Sequence, residues 1–252
     1  MTEPQEPYPA AIDGVPFSVE PHTSLPSTND RARELAATGA TDVVVVADRQ
    51  TMGRGRLDRE WASPPGGIWL SLLVWPDLPI DRLPLLTFAA AIATVEAVRG
   101  VGGEAVIKWP NDVLVEVDGE ERKLAGILTE SATTDGAVEW AIIGIGLNAN
   151  VDPDELPVGS ISLRALVGDV DRVAVTERLL VSFDRLRADP DAILEAWRRY
   201  ATTIDRQVRV TTDDGTIEGR AVDIDTAGRL LVDVNGTIER VAAGDCQHLR
   251  PA

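Results

Sequence analysis

The sequence predicts an α+β protein in which a mainly antiparallel mixed sheet is packed by helices and followed by a small all-β domain. Short apolar runs in the middle of the chain alternate with Asp-Gly turns, which is typical of hairpins. Four other segments space their apolar residues as helices do. From about Asp205 only short strands and glycine turns follow, so we expect domains at 1–204 and 205–252.

The first half of the chain is predicted to contain two helices and three strands. Residues 1–16 hold four prolines and read as a loose lead-in. Good N-cap residues precede the first helix, and Gly39 ends it. The run at 43–47 is unbroken and apolar, with four β-branched valines before Ala47, as in a strand buried on both faces. In order, we expect a strand at 17–20, a helix at 31–38, a strand at 43–47, a loop at 51–67, a strand at 69–75 and a helix at 83–98.

The second half is predicted to form an antiparallel meander, two helices and a small barrel. Asp118-Gly119 and Asp135-Gly136 are good hairpin turns. The last part, about 45 residues long, alternates short strands with similar turns, which indicates a small β-barrel. We expect strands at 105–109, 113–117, 124–130 and 138–145, and helices at 173–187 and 191–200.

The charge balance limits the classes of function. The chain has 41 acidic and 24 basic side chains, a net charge of −17, and a pI of about 4.5. A surface this acidic argues against general affinity for DNA. Only two of the basic residues are lysines, Lys108 and Lys123. An acidic, lysine-poor composition suggests a halophilic source, because concentrated salt screens self-repulsion.

The chain has few features that suggest export or a membrane. No apolar run reaches the roughly 18 residues of a membrane span, and no secretory signal is visible. The single cysteine, Cys246, excludes an internal disulfide and a cysteine-based zinc site. We therefore expect a cytoplasmic protein without membrane partners.

A glycine- and arginine-rich loop, residues 50–61, follows the strand at 43–47. Glycine lets backbone N–H groups approach an anion, and the fork of an arginine side chain matches carboxylate or phosphate oxygens. The loop lacks the glycine spacing of a dinucleotide-binding or P-loop motif. A solvated turn and an RNA-binding Arg-Gly element are the alternatives, although the latter normally occurs in repeats.

Three further motifs carry polar groups at strand ends. Lys108-Trp109-Pro110-Asn111-Asp112 places an amide and a carboxylate at a bend, although such residues are also ordinary turn chemistry. Residues 123–130 begin with Lys123, and a lysine at a strand start is usually just solvated. Residues 144–150 are glycine-rich and include Asn148; they suit close approach of a ligand or simply a strand end.

Together these motifs resemble the biotin protein ligases, also called biotin–[acetyl-CoA carboxylase] ligases. The motifs are Ser-Thr-Asn, Gln-Thr-x-Gly-Arg-Gly-Arg, Trp-Pro-Asn-Asp, Lys-Leu-Ala-Gly and Gly-Ile-Gly-Leu-Asn, and the likeness runs from about Ser27 to Arg250. The resemblance implies a class II synthetase-like catalytic domain and an SH3-like C-terminal barrel. Ligases for lipoate or octanoate share the catalytic fold but lack this Gly-Arg-Gly-Arg loop.

The resemblance implies a two-step reaction. Biotin and MgATP give biotinyl-5′-AMP and pyrophosphate, and the ε-amine of a lysine on a biotin carboxyl carrier protein then displaces AMP. The implied ligands are thus ATP, biotin and Mg²⁺, and the implied partner is the carrier domain of a carboxylase. The C-terminal domain is expected to help close the nucleotide site and receive the carrier. Two copies can pair as a homodimer in this family.

The resemblance also assigns residues. Lys123, Arg54 and Asp112 are the catalytic candidates. Asp112 is a candidate to hold Mg²⁺, or to orient or deprotonate the incoming lysine, and these alternatives stay open. The role of Lys108 is also open, between a phosphate contact and a strand-end charge. The biotin set is Ser27, Thr28, Asn29, Gln50, Gly53, Arg54, Gly55, Arg56, Lys123 and Gly126, and the ATP set is Arg54, Arg56, Arg59, Trp61, Asn111, Lys123 and Asn148.

Other functions are compatible with parts of the pattern. A lipoate or octanoate ligase, or a non-catalytic biotin-binding or RNA-binding module, would each use some of these motifs. Some family members carry an N-terminal helix-turn-helix domain that binds DNA. Only 26 proline-rich residues precede Ser27 here, so we expect no such role.

Overall fold

The structure is a computed structural model that describes residues 8–57 and 59–249. The expectations for residues 1–7, Asp58 and Arg250 lie outside these ranges. The helices are α1 Thr28–Ala37, α2 Pro84–Arg99, α3 Leu163–Val167, α4 Arg172–Arg187 and α5 Pro190–Tyr200. The strands are β1 Ser18–His22, β2 Val43–Ala47, β3 Ile68–Val74, β4 Ala105–Lys108, β5 Asp112–Val117, β6 Glu120–Thr134, β7 Ala137–Leu147, β8 Gln207–Thr212, β9 Gly215–Ile224, β10 Leu230–Val234, β11 Thr237–Val241 and β12 Asp245–His248.

The first seven strands form one mixed sheet in the order β1-β2-β3-β7-β6-β5-β4. Only β1 and β2 pair in parallel; the other neighbours are antiparallel. Two glycine turns make the predicted meander, since Gly119 and Gly136 have φ of +77° and +80°. The register places Gly126 of β6 opposite Gly146 of β7, which matters for the site.

The two faces of the large sheet are covered unequally. On one face, α2 and α4 pack into the main core. The helix α2 is apolar nearly all round and has most of its residues buried, as expected for a central helix. Among the described residues, the other face carries only α1 and a small cluster that contains Ala32, Val45 and Ile142. Part of that face is therefore left free to form a cavity.

The last five strands form an antiparallel sheet in the order β11-β10-β9-β8-β12. The predicted small all-β domain is present, and in the described part of the chain β11 and β12 do not pair, so its sheet is not closed. Both edge strands are short, and β11 exposes four of its five residues, so it has little apolar surface to bury by closing. Trp109 Nε1 donates to the carbonyl of Gly228 at 3.2 Å, which ties this sheet to the large one.

The α+β fold class is confirmed, and the differences are local. The short helix α3 is not predicted, because five residues are too few for a periodic signal. Strand β6 is longer than predicted because its polar ends continue the ladder with β5 and β7. Residues 8–16 form no helix or strand, yet Tyr8 and Ile12 are buried. Within residues 8–57 and 59–249, no helix has both the length and the apolar character of a membrane span.

Candidate functional site

A cavity of about 250 Å³ opens on the free part of the large sheet. Its floor is β6 and β7, and its walls are the start of α1, the 50–61 loop, the β4–β5 bend and the loop before β12. The segments meet here although they are far apart in sequence. The predicted residues that line it are Ser27, Thr28, Asn29, Gln50, Arg54, Gly55, Arg56, Arg59, Trp61, Asn111, Asp112, Lys123, Gly126 and Asn148.

One end of the cavity is polar and uncharged. The backbone N–H of Thr28 donates to Gln50 Oε1 at 2.8 Å, and the Thr28 hydroxyl donates to the same oxygen at 3.1 Å. Gln50 Nε2 in turn donates to Ser63 Oγ at 2.9 Å. Ser27 occupies the N-cap position of α1, but its side chain makes no cap hydrogen bond, so its hydroxyl is available to a ligand.

Ser71 lies behind this end and was not predicted. It is fully buried on β3 and does not line the cavity. Its hydroxyl lies 2.7 Å from Thr28 Oγ1 and 2.6 Å from Asn29 Oδ1. One proton serves both acceptors, so Ser71 fixes the two side chains relative to each other. A serine inside an otherwise apolar strand was the available signal.

Glu130 holds the other side of Asn29 and was also missed. Asn29 Nδ2 donates to Glu130 Oε2 at 2.9 Å, and Arg33 donates to the same oxygen at 2.8 Å. A Cβ at Gly144 would overlap Asn29 Oδ1, so this glycine makes room for the amide. The Asn29 side chain is therefore oriented by Ser71 and Glu130 before any ligand arrives.

The 50–61 loop folds as a small hairpin that brings three arginines to the cavity. Its backbone is closed by Gly55 N–H donating to Arg59 O at 2.7 Å and by Trp61 N–H donating to Gly53 O at 2.9 Å. Arg54 reaches Asp30 at 2.6 Å, and Arg56 donates to Asn111 Oδ1 at 3.0 Å. The loop thus supplies fixed positive charge beside the cavity, as its composition predicted.

Arg59 connects the loop to the C-terminal sheet. Its Nη2 donates to Asp245 Oδ2 at 2.8 Å, and this hydrogen bond lowers the pKa of Asp245. In contrast, the pKa of Arg56 is lowered by burial of its guanidinium. The nearby carboxylates of Asp112 and Asp245 raise this pKa again, but only in part. Among the described residues no carboxylate forms a salt bridge with Arg56, and a half-buried guanidinium of this kind favours an anionic ligand. Asp245 had no sequence signal, because it lies 186 residues from Arg59.

Lys123 and Asp112 form a close charged pair in the lining of the cavity. Lys123 Nζ lies 2.6 Å from Asp112 Oδ1, and it lies 5.1 Å from the centre of the Trp61 ring. The β5–β6 register brings Asp112 opposite Gly126, three residues after Lys123. Both side chains are half-buried, so the ammonium and the carboxylate can each still reach a ligand.

Trp61 lies across two facing glycines. A Cβ at Gly146 would overlap the indole nitrogen, and one at Gly126 would come within 3.0 Å of Trp61 Cζ3. Larger residues at either position would displace the ring. Among residues 8–57 and 59–249, Trp61 Nε1 is buried and has no hydrogen-bond partner. The indole is therefore held by shape and by Lys123 rather than by its own donor.

Three predicted residues have other surroundings than expected. Asn148 lines the cavity, but its Nδ2 donates to Ile161 O at 3.0 Å and holds the following loop. Gly53 lies behind the loop, where a Cβ would overlap Trp61 O. Lys108 does not line the cavity; from β4, its charge contributes to the lowered pKa of Asp245 after the larger effect of Arg59.

The carboxylates that the structure describes do not assemble a protein-only metal site. Across the described ranges 8–57 and 59–249, no cluster of three or more His, Cys, Asp or Glu could hold an ion. Asp112 is a single carboxylate already facing Lys123. That donor set fits an ion that arrives on a nucleotide, because Mg²⁺ bound with phosphates needs only one or two protein carboxylates.

Family comparisons agree with the geometry. A sequence model of the Biotin/lipoate A/B protein ligase family matches residues 21–148, and one of the Biotin protein ligase C terminal domain matches residues 203–249. The first match contains the polar end, the arginine loop and Lys123. The second contains Asp245 and the whole C-terminal sheet. The class defined by fold and site is therefore that of the biotin and lipoate protein ligases.

Individual relatives narrow this class. The bifunctional ligase/repressor BirA of Bacillus subtilis is 38% identical over 90% of this chain and 72% of its own length. The biotin–[acetyl-CoA-carboxylase] ligase of Mycobacterium tuberculosis is 37% identical over 89% of this chain and 86% of its own. The biotin protein ligase of Aquifex aeolicus, solved with biotin and ATP, superposes with a TM-score of 0.76 at 26% identity, over 92% of this chain and 99% of that one. This chain belongs to the biotin protein ligase family.

Proposed function

We propose that this protein is a biotin–[biotin carboxyl carrier protein] ligase, which uses ATP to attach biotin to a lysine of a carrier domain through biotinyl-5′-AMP. One observation carries the proposal: a single cavity combines an uncharged polar end with a cationic end that contains Lys123. A substrate with a neutral ring at one end and a carboxylate at the other suits these two ends. ATP supplies the second anion.

The polar end suits the ureido ring of biotin. The ring offers N–H donors and one carbonyl acceptor, and a neutral heterocycle needs a few placed polar groups. We assign this recognition to Ser27, Thr28, Asn29 and Gln50. Thr28 and Asn29 are already oriented by Ser71, so little side-chain freedom is lost when the ring binds.

The cationic end suits the joining of two anions. In adenylate formation, a biotin carboxylate oxygen bonds to the α-phosphorus of ATP, and the bond from that phosphorus to pyrophosphate breaks. Bringing the two anions together costs Coulomb energy that fixed cations offset. We assign this work to Lys123, Arg54 and Arg56. Arg54 must exchange its Asp30 contact for the ligand, whereas Arg56 is already held by Asn111.

The nucleotide is assigned to the remaining lining residues. Trp61 and Asn148 are the adenine contacts in this proposal, and Arg59 and Asn111 serve the phosphates. ATP is used as MgATP, and Asp112 could supply one oxygen to the ion. Asp112 alternatively orients or deprotonates the acceptor lysine. The Asp112 carboxylate lies 2.6 Å from Lys123 Nζ, beside the proposed reacting centre, and this position supports both roles.

The second step needs a macromolecular acceptor. The amine of a carrier lysine bonds to the acyl carbon of the adenylate, the carbon–oxygen bond to AMP breaks, and the amine loses a proton. The three most exposed large hydrophobic residues, Val158, Met52 and Leu57, lie on the two loops beside the cavity mouth. Exposed apolar groups there support docking of a protein. A homodimer remains a separate proposal.

Labelled biotin tests the activity directly. With MgATP and a biotin carrier domain, we expect label to enter the carrier, and Lys123→Ala to abolish nearly all of this incorporation. No incorporation into any biotin carrier domain would refute the proposal. Pyrophosphate exchange with biotin, lipoate and octanoate separates the alternatives, because the acid that the enzyme activates drives the exchange. Tight biotin binding without exchange would indicate a non-catalytic module.

A reducing, cytoplasmic location is part of the proposal. Cys246 is buried, and burial raises its pKa to about 11. A thiol of this kind is a poor nucleophile and a structural residue. It therefore supports neither a disulfide nor redox chemistry.

A further inference from the structure

A series of hydrogen bonds, buried at Trp109 and Thr203 and half-buried at Glu121, joins the C-terminal sheet to the bend between β4 and β5. The backbone N–H of Trp109 donates to Thr203 Oγ1 at 2.9 Å. Thr203 Oγ1 lies 3.1 Å from His248 Nε2, and His248 Nδ1 lies 3.0 Å from Glu121 Oε2. The four residues come from four separate segments: the β4–β5 bend, the link between α5 and β8, β12, and the start of β6.

The order of donors in this series follows from the donor and acceptor capacity of each group when the imidazole is neutral. A carboxylate only accepts, so His248 Nδ1 donates to Glu121. In the neutral imidazole Nε2 then accepts, and the Thr203 hydroxyl donates to it. The lone pairs of that hydroxyl remain for the N–H of Trp109. Every polar atom of the series has a partner in this arrangement.

Burial makes the arrangement hard to replace. Thr203 is 0% exposed and Trp109 1% exposed, and the His248 side chain is 6% exposed. Water cannot readily take over a bond that is lost at such depth. Trp109 Nε1 also donates to Gly228 O, so the C-terminal region holds both nitrogens of Trp109.

The bend that follows Trp109 leads straight into the cavity. Asn111 accepts a hydrogen bond from Arg56, and Asp112 pairs with Lys123. Asn111 is held further by its Nδ2 donating to Ile127 O at 2.8 Å. A shift of Trp109 would therefore move the partners of two cations that the proposed function needs.

We infer that Thr203 and His248 are positioning residues for adenylate formation. They hold Trp109, and the two residues after Pro110 then face the cations of the cavity. The inference rests on the proposed function. It gives the C-terminal sheet a part in the first chemical step, through side chains that touch no substrate.

The test compares Thr203→Val with Thr203→Ser and with a matched control. Valine keeps the shape but loses the hydroxyl, whereas serine keeps the hydroxyl. Thr176→Val is the control. Thr176 is as buried as Thr203, and its hydroxyl lies 3.2 Å from the Tyr8 hydroxyl. It belongs to α4 and does not line the cavity. Biotin-dependent pyrophosphate exchange gives kcat and the KM for ATP, calorimetry gives the Kd for biotin alone, and thermal melting gives stability.

Thr203→Val should lower kcat about tenfold and leave the biotin Kd within about twofold of wild type, since the polar end of the cavity is untouched. Thr203→Ser should restore kcat to within about twofold. Thr176→Val should lower the melting temperature without changing kcat. Unchanged kcat and ATP KM in Thr203→Val would overturn the inference, as would an equal loss in Thr176→Val.

A second variant tests the same inference if Thr203→Val does not fold. His248→Gln has one amide that cannot bridge Glu121 and Thr203 as the ring does, so it should show the same selective loss of kcat; wild-type kcat in a folded His248→Gln would overturn the inference. The proposed function fails on a different result, namely absence of biotin-dependent exchange in the wild type.

Discussion

Replacement of Lys123 is the sharpest test of the site. Lys123 Nζ lies 2.6 Å from Asp112, and the lysine side chain is 33% exposed. Two unit charges 4 Å apart interact by about 4 kcal/mol at an effective dielectric of about 20, equivalent to about a thousandfold in rate. Partial exposure and the nearby carboxylate reduce this value. We expect Lys123→Ala to slow adenylate formation by about 10²- to 10³-fold.

The chain offers a matched control for this change. Lys108 is the other lysine of the sequence; it lies on β4, which β5 separates from the strand of Lys123, and it does not line the cavity. Lys108→Ala should therefore change the rate by less than about threefold. Lys123→Arg keeps the charge but not the compact ammonium over the Trp61 ring, and should lose about tenfold.

Pyrophosphate exchange at saturating ATP and biotin measures these rates, and thermal melting checks that each variant is folded. The reasoning is wrong if Lys123→Ala keeps more than about a tenth of the rate, or if Lys108→Ala loses as much. Full activity of Lys123→Arg would show that any cation suffices there.

Three further predictions concern binding, pH and salt. Ser71→Ala should weaken biotin binding about tenfold by calorimetry with the ATP KM unchanged, because Thr28 and Asn29 lose their shared donor; equal losses for both ligands would contradict this. The His248 hydrogen bond holds the pKa of Glu121 below its ordinary 4.5, so the stability it contributes is present above that pH and is lost as the pH falls through the folded value. When denaturation is measured at several pH values in this range, the free energy of unfolding of Glu121→Gln should fall less steeply with decreasing pH than that of the wild type. The same pH dependence in both proteins would refute the stabilising role of the Glu121 carboxylate. With a net charge of −17, the urea midpoint should rise from about 0.1 to about 1 M KCl, and a constant or falling midpoint would reject the halophilic hypothesis.

Local signals account for most of the fold that was predicted. The Asp-Gly turns fixed two hairpins, because aspartate and glycine tolerate the positive φ seen at Asp118, Gly119, Asp135 and Gly136. The unbroken apolar run of β2 predicted a strand buried on both faces. In contrast, closure of the C-terminal sheet depends on whether β11 and β12 can reach each other, and no local pattern reports that.

The sequence by itself determined the secondary structure, the chemistry of the motifs and which motifs belong together. Its site residues, with the exception of Gly53, line one cavity. The tertiary structure decided their partners: Ser71 behind Thr28, Glu130 beside Asn29, and Asp245 against Arg59. These pairs are 43, 101 and 186 residues apart. Strand register and packing summed over the whole chain set such contacts, whereas turn and strand preferences act within a few residues.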